Sequence, residues 1–416
     1  MSYRSRVVDQ EVREALRDVG AVLIEGPKAC GKTSTAEQMA ASVLRVDVDP
    51  SVPLAMETDP GLLLEGPTPR LLDEWQVEPS LWNQVRRAVD DRAQPGQFLL
   101  AGSATPSDDV RRHSGAGRFA KVRMRPMSLW ESGDSTGQVS LAALLDDQTQ
   151  TAAPTEQSLT TLAQLVVRGG WPQLIGGTPR QTGRFAVNYL TLIAEADLTQ
   201  VIGGRRDPER VTRLIRALAH GVATSVTQDK LARDAGLGDR PLARDTVTEY
   251  LEGLSRLMVL EDQPAWSPTL RSHATARRAA RRHFVDPSLA AAALNATPER
   301  LLRELPVLGA LFESLVVRDL RVYAQALGGR ILHYRDSTDR EADAIIVLPD
   351  GSWAACEIKL GPAKANQAAA SLKRLADTID TAVVGPLRAL IVLTGSGPVV
   401  RRPDGVHVVP IGTLRP

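Results

Sequence analysis

Short β-branched apolar runs alternate with helix-period stretches through the first third of the chain. The run Gly20–Glu25 (GAVLIE) leads directly into GPKACGKTST, and TSTAEQMAASVL then carries a helical pattern. A second apolar run, Leu71-Leu72, ends in Asp73-Glu74. A third, Phe98-Leu99-Leu100-Ala101-Gly102-Ser103, follows the helical stretch Leu81–Arg92. Alternation of this kind predicts an α/β fold with a parallel sheet whose ligands sit at the carboxyl edge of the strands.

Residues 133–157 are rich in Ser, Thr, Gln, Asp and Gly, which predicts a linker or exposed loop. Helical patterns dominate from Leu159 to Leu257, and Arg210–Val222, Gln228–Ala235 and Leu242–Leu257 read as three successive helices. Asp239-Arg240-Pro241 places a turn and a proline just ahead of the third. Met258-Val259-Leu260 and the turn at Asp262–Pro264 then predict a small wing, completing a winged helix-turn-helix pattern. The stretch Pro264–Arg282, with many small and basic residues, is expected to loop out. From His283 onward helix and strand mix again: Leu305–Leu327 is helical, and Ile331–Tyr334, Ala342–Leu348 and Trp353–Ile358 are strand-like. Pro349-Asp350-Gly351-Ser352 is a strong turn signal between the last two strands. Four segments follow: 1–132, 133–204, 205–282 and 283–416, with no internal repeat.

Composition narrows the classes. At 416 residues, with 43% hydrophobic and 24% charged, the chain can bury a core without staples, which excludes a disordered, fibrous or disulfide-built protein. Lys and Arg number 50 against 49 Asp and Glu, so no global field draws the chain to nucleic acid or lipid. Only two cysteines occur, Cys30 and Cys356, which fits a reducing compartment and excludes a cysteine-built zinc site. A charged N-terminus and the lack of a long apolar run predict no signal peptide, no membrane partner and a cytoplasmic location.

The segment Gly26-Pro27-Lys28-Ala29-Cys30-Gly31-Lys32-Thr33 matches G-x-x-x-x-G-K-[ST] at every fixed position. Glycines let backbone N–H groups turn inward around phosphates, Lys32 reaches the β- and γ-phosphates, and the Thr33 hydroxyl ligates Mg²⁺. Ser34 follows on the helix and completes the expected binding stretch. A Gly/Lys-rich turn matching by chance is the bland reading, and the strand before and helix after weigh against it. Asp73, ending an apolar strand, is the expected Mg²⁺ carboxylate, and Glu74 the expected base for water attacking the γ-phosphate. That pair predicts ATP hydrolysis rather than mere binding. Ser103 is placed to contact the γ-phosphate or the water. Arg118 is a candidate arginine finger, with Arg111 and Arg112 competing for the role, while Cys30 reads as a small filler.

Near the C-terminus, Glu357-Ile358-Lys359 closes a strand and, being two apart, Glu357 and Lys359 share a face. Asp343 lies on the preceding strand and Glu313 on the upstream helix. Three carboxylates can hold one or two Mg²⁺ ions, and a lysine beside them can orient or deprotonate water for attack on a phosphodiester. This constellation resembles that of the PD-(D/E)xK nuclease superfamily.

The chain from about residue 5 to 375 resembles bacterial and archaeal AAA+-like ATPases of the archaeal-ATPase branch. Their C-terminal domain, long labelled as of unknown function, has a restriction-endonuclease-like fold. The resemblance rests on GPKACGKTST, LLDEWQ with Asp73, Glu74 and Gln76, FLLAGS, GAGRFAKVRMRPMSLWE, VVRGGWPQ, HFVDPSLA with Asp286, and LFESLVVRDL through CEIK. It implies nucleotide chemistry at Lys32, Thr33, Asp73, Glu74 and Ser103. For Glu313, Asp343, Glu357 and Lys359 it implies a nuclease-like set.

Residues 205–282 hold 15 Arg and Lys against 10 Asp and Glu, a mild local excess. Leu242–Leu257 is a candidate recognition helix presenting Arg240 and Arg244 to DNA, and Arg277-Arg278 and Arg281-Arg282 could add phosphate contacts. Winged helices of ATPases also serve as protein-docking modules. Two functions therefore stand: an ATPase coupled to DNA binding or processing, and a nucleotide-controlled regulatory protein whose nuclease-like domain is inert. A small-molecule kinase is disfavoured, since a Glu follows the Mg²⁺ carboxylate. ATP and Mg²⁺ are the expected ligands, DNA and a second copy of the chain the candidate partners.

Overall fold

The computed structural model describes residues 3–102, 114–148, 157–204, 206–268, 279–336, 338 and 340–416. The first module is a parallel sheet of β1 (Ala21–Glu25), β2 (Ser42–Arg45), β3 (Arg70–Asp73), β4 (Phe98–Gly102) and β5 (Phe119–Arg123), ordered β2-β3-β4-β1-β5. Its central strands β1, β3 and β4 are largely apolar because both faces are covered, whereas the edge strands β2 and β5 carry exposed Arg45 and Lys121. Val22, Ile24, Leu71 and Leu99 pack with Val8 and Val12 of the helix Val8–Asp18. Their neighbours Leu23, Leu72 and Leu100 pack with Leu81 and Val85 of the helix Leu81–Arg92. Successive strand residues thus serve opposite layers. Register aligns Glu25 with Gly102 and Asp73 with Ala101, so these strand ends meet on one edge.

The helix expected over TSTAEQMAASVL is shorter, Lys32–Glu37. Ser42–Arg45 pairs with β3 instead, and Leu44 fills the core beside Leu23 and Leu72, so tertiary pairing overrides local helical pattern.

In the middle of the chain the helices Pro208–His220, Gln228–Asp234 and Arg244–Arg256 lie close to their predicted bounds. Where a wing is expected, antiparallel bridges join Leu260 to Phe284 and Gln263 to Arg281. Arg277 and Arg278 lie outside the described residues.

A second sheet comprises β6 (Arg330–Arg335), β7 (Glu341–Val347), β8 (Trp353–Lys359), β9 (Leu387–Thr394), β10 (Val400–Arg401) and β11 (His407–Pro410). Their order is β10-β11-β9-β8-β7-β6, antiparallel through β6-β7-β8 and parallel through β8-β9-β11. The helix Leu305–Gln325 covers one face and the helix Ala365–Ala376 the other. One continuous core runs from Leu129 to Leu414, uniting the helical layer with the first of these faces.

Segment 133–157, expected as linker, holds ordered structure in its described part. Val139–Ser140 pairs in parallel with Leu414–Arg415, and Leu141, Leu144 and Leu145 of the helix Leu141–Leu145 are buried. Its polar composition masks a short apolar clasp that fastens the C-terminus to the middle of the chain.

One buried ionic network fixes the modules to one another, and a second closes the first module on itself. Arg318 donates to Asp286 (2.8 Å) and to Asp319 (2.9 and 2.7 Å), while those carboxylates accept from the N–H groups of Gly170 and Leu129. A Cβ on Gly169 would lie 2.3 Å from Asp286 Oδ1, and one on Gly170 2.0 Å from Met127 O. The GG pair of VVRGGWPQ and the Asp of HFVDPSLA are thus two halves of one packing contact. In the second network, Arg6 Nε donates to Glu131 (2.9 Å), Nη1 to Cys30 O (2.9 Å) and Nη2 to Arg125 O (2.7 Å).

Burial alone would raise the Glu131 carboxyl; Arg6 and the N–H groups of Ser128 and Val7 instead hold it below its ordinary value. Arg6→Met strands that carboxylate, and we expect a loss of about 3–5 kcal/mol in urea unfolding at neutral pH. A carboxyl depressed in the folded state stabilises above its unfolded value and loses that contribution as pH falls through its folded one. The gap between wild type and variant should therefore narrow below the ordinary glutamate value of 4.5. A gap independent of pH would contradict the ion pair.

Candidate functional site

The chain leaves β1 at Glu25, and the loop Gly26–Gly31 turns back into the helix Lys32–Glu37 through left-handed φ values of 63° at Ala29 and 104° at Gly31. The Lys32 ammonium sits over the loop, 3.0 Å from Gly26 O and 2.9 Å from Pro27 O. Thr33 Oγ1 donates to Asp73 Oδ1 at 3.0 Å. Burial raises the Asp73 carboxyl, and the Thr33 hydroxyl works against that shift. Cys30 is fully buried among apolar side chains, as a filler would be. Pro27 is buried, whereas Lys28, Ala29 and Ser34 are exposed.

Beside the loop lies a cavity of about 860 Å³ whose lining includes Lys28, Lys32, Thr33, Ser34, Glu74 and Gln76. Its opposite wall comes from the helical layer through Pro172, Gln173, Asp197, Gln200 and Leu257. Lys28 Nζ bridges to Asp197 Oδ1 at 2.7 Å, and Asp197 ends the single π-turn Ile193–Asp197. π-Turns inside α-helices recur at functional sites. Asp197 and Gln200 carried no sequence signal, being ordinary polar positions in a helical pattern. Pro172 and Gln173 stood within the VVRGGWPQ segment without an assigned role.

Glu74 is half-buried and takes left-handed backbone angles, φ 53° and ψ 36°, which cost a non-glycine residue roughly 1–2 kcal/mol. Its carboxylate accepts a hydrogen bond from Gln76 Nε2. The turn is wedged against the end of β4, where only glycine fits.

Ser103, Arg111 and Arg112 lie outside the described residues. Arg118 does not line the cavity; its Nε pairs with the exposed Asp90 at 2.6 Å. Arg244 is likewise engaged, in a two-pronged pair with Asp229 (2.6 and 2.7 Å), and Arg240 is exposed.

The C-terminal residues converge. Lys359 Nζ bonds to Glu357 at 2.5 Å and to Asp343 at 3.3 Å, and Asp343 also accepts from the Ile358 N–H at 2.9 Å. A further residue, Arg281, inserts between the carboxylates, 2.7 Å from Glu313 and 3.2 Å from Asp343. Cations stand among the carboxylates, Arg281 joining the expected Lys359, and no group of three acidic, His or Cys side chains that could hold a metal ion occurs among the described residues. Burial, then the nearby Asp343, pushes Glu313 up to about 8 and Glu357 up to about 7. Burial opposes the Lys359 charge, yet Asp343 and Glu357 push its ammonium up to about 12. In this arrangement the charged form of Lys359 is favoured.

Comparison with known proteins finds three family models along the chain. Residues 18–132 match a family model described as an AAA domain. Residues 159–300 and 308–414 match two models described as domains of unknown function, DUF8612 and DUF4143. The chain is similar to the uncharacterized protein Rv2008c of Mycobacterium tuberculosis, 26% identical over 354 residues, 84% of this chain and 72% of that protein. It is equally similar to the uncharacterized protein Mb2031c of Mycobacterium bovis. The first module is thus an AAA-like P-loop domain, the type that binds nucleotide. No helix among the described residues is long and apolar enough to cross a membrane.

A Cβ at Gly102 would fall 2.3 Å from Gln76 Oε1 and 2.9 Å from Trp75 Nε1. Gly102→Ala must displace the Gln76 side chain and press on the Trp75 ring, and we expect it to cost about 1–3 kcal/mol in urea unfolding. Emission from the buried Trp75 should shift with it; unchanged stability and emission would show that the turn is not pinned there.

Proposed function

We propose that this chain binds and hydrolyses ATP, and that the nucleotide state of the loop is passed to the helical layer. The observation that carries this reading is the convergence of Lys32, Thr33, Asp73 and Glu74 at one cavity wall and one sheet edge. The Thr33 hydroxyl and the Asp73 carboxylate, 3.0 Å apart, are the oxygen donors that Mg²⁺ takes, and they would hold it. When bound, that ion supplies neutralising charge to the phosphates. Lys32 exchanges its two loop carbonyls for phosphate oxygens. Glu74, held in place by its strained backbone and by Gln76, accepts the proton of the attacking water. Lys28 joins the loop to Asp197, so a change in the loop reaches the helical layer through one ion pair.

The described residues lining the cavity include no arginine. In this reading a guanidinium completing the site comes from residues 103–113 or from a second copy, in a homo-oligomer. Free, buried Cys30 and Cys356 are consistent with the reducing cytoplasm as its setting.

For the C-terminal domain, the strand order and the position of Glu357 and Lys359 support the PD-(D/E)xK resemblance. Coupling of the ATPase to DNA processing would use this cluster and the three-helix segment. The placement of Arg281 between Glu313 and Asp343 favours the other reading, a nucleotide-controlled interaction module without nuclease activity.

Lys32→Ala should abolish ATP binding in calorimetry. Glu74→Gln should still bind ATP while turnover drops by about 10²-fold or more; unchanged turnover would remove Glu74 as the base. For the C-terminal cluster, wild type and Lys359→Ala incubated with plasmid and Mg²⁺ or Mn²⁺ should give the same products. Cleavage lost in Lys359→Ala would instead establish a nuclease.

A further inference from the structure

A second cavity, about 610 Å³, opens where β5, the segment after the helix Arg244–Arg256 and the end of the helix Leu305–Gln325 meet. It is unconnected with the nucleotide reading above. Five cationic side chains line it: Lys121, Arg123, Arg125, Arg321 and Arg330. Three acidic ones oppose them, Glu11, Glu261 and Asp262, and Lys121 is also paired with Glu25 at 3.3 Å, which leaves four guanidinium groups facing three carboxylates. Part of the acidic charge is also engaged elsewhere. Asp262 pairs with Arg282 and Glu11 accepts from Gln325.

Around Glu261 the imbalance is sharper, with three guanidinium groups on one carboxylate. Arg125 takes it in a two-pronged bond, Nε at 2.9 Å and Nη2 at 2.6 Å. Arg123 Nε stands off at 3.5 Å and Arg321 Nη1 at 3.7 Å, beyond ordinary hydrogen-bond length. Arg123 Nε and Arg321 Nη2 are both buried and have no hydrogen-bond partner among the described residues. The Arg321 side chain is only 6% exposed. Burial, with Arg125 and Arg123 nearby, lowers its guanidinium to about 10 despite Glu261.

A buried guanidinium with unfilled donors is costly unless a partner supplies acceptors. We propose that this cavity is a binding site for a dianionic phosphate, free or carried as the monoester of a small organic molecule. Such a group brings negative charge to a lining rich in guanidinium groups. Its several oxygens offer more acceptors than a carboxylate, and planar guanidinium forks suit them. The volume leaves room for a substituent beyond the phosphate.

The test uses the full chain carrying Lys32→Ala, so that the loop site does not contribute. Calorimetry and thermal unfolding are followed with inorganic phosphate in one arm and ribose 5-phosphate in the other. We expect measurable heat and a raised Tm, with tighter binding in the second arm if the ester is the natural form and equal binding if free phosphate is. Arg321→Met should weaken binding by about tenfold or more. Arg123→Gln, whose side chain is 38% exposed, should keep the fold and weaken binding to a similar degree. No heat and no Tm shift in either arm, or binding unchanged by Arg123→Gln, would overturn the assignment.

Discussion

The buried pair of Arg6 and Glu131 holds the start of the chain to the far end of the AAA-like module. Its side chains are 3% and 2% exposed, so neither charge has water to fall back on. Such a pair repays its desolvation only when every remaining donor and acceptor is filled. Here the spare guanidinium donors go to Cys30 O in the phosphate loop and to Arg125 O beyond β5, and the spare carboxylate oxygen caps Ser128. One residue ahead of the first helix therefore fixes the underside of the loop and the path by which the chain leaves the sheet.

With the underside fixed, the other side of the loop is free to face the helical layer. The cavity is a cleft between two modules rather than a hole in one, because β1 delivers the loop to an edge that the sheet does not cover. Glu74 shows what the cleft demands. A backbone conformation that costs energy is retained at the position where a carboxylate must face the cavity, and packing of Trp75 against the core of the sheet keeps it there. Lys28 completes the geometry by reaching the far wall at Asp197.

Much of this was legible in the sequence wherever the signal was local. The glycine-lysine-threonine spacing, the apolar run ending in Asp73-Glu74 and the strand ending in Glu357 and Lys359 each carry their meaning in a few adjacent residues. What escaped depends on partners far away in sequence. Val43 and Leu44 look helical until β3 lies beside them. The clasp at Val139 gains its meaning from Leu414, more than 270 residues on. Arg6, Asp197 and Arg281 are unremarkable charges in their own neighbourhoods, and each becomes decisive only through a carboxylate, a lysine or a cluster far away in sequence.

Arg281 illustrates the physical consequence most clearly. Three carboxylates drawn together by a fold repel one another and must be neutralised, by protons, by a metal or by basic side chains. The Glu–x–Lys strand supplies one cation of its own, but Lys359 reaches only Glu357 and Asp343, leaving Glu313 on the helix behind them. Arg281 arrives from the strand-like segment that bridges Gln263 and spans that gap, bonding Glu313 and Asp343 with one nitrogen while another reaches Glu341. The cluster is thus partly compensated from within the chain, by a residue that belongs to the end of the three-helix segment and not to the sheet. Any cation entering it must compete with a guanidinium that is tethered, nine-tenths buried and already hydrogen-bonded, and displacing it means moving the segment that carries it. The charge compensation of this cluster is therefore tied to its neighbour's backbone.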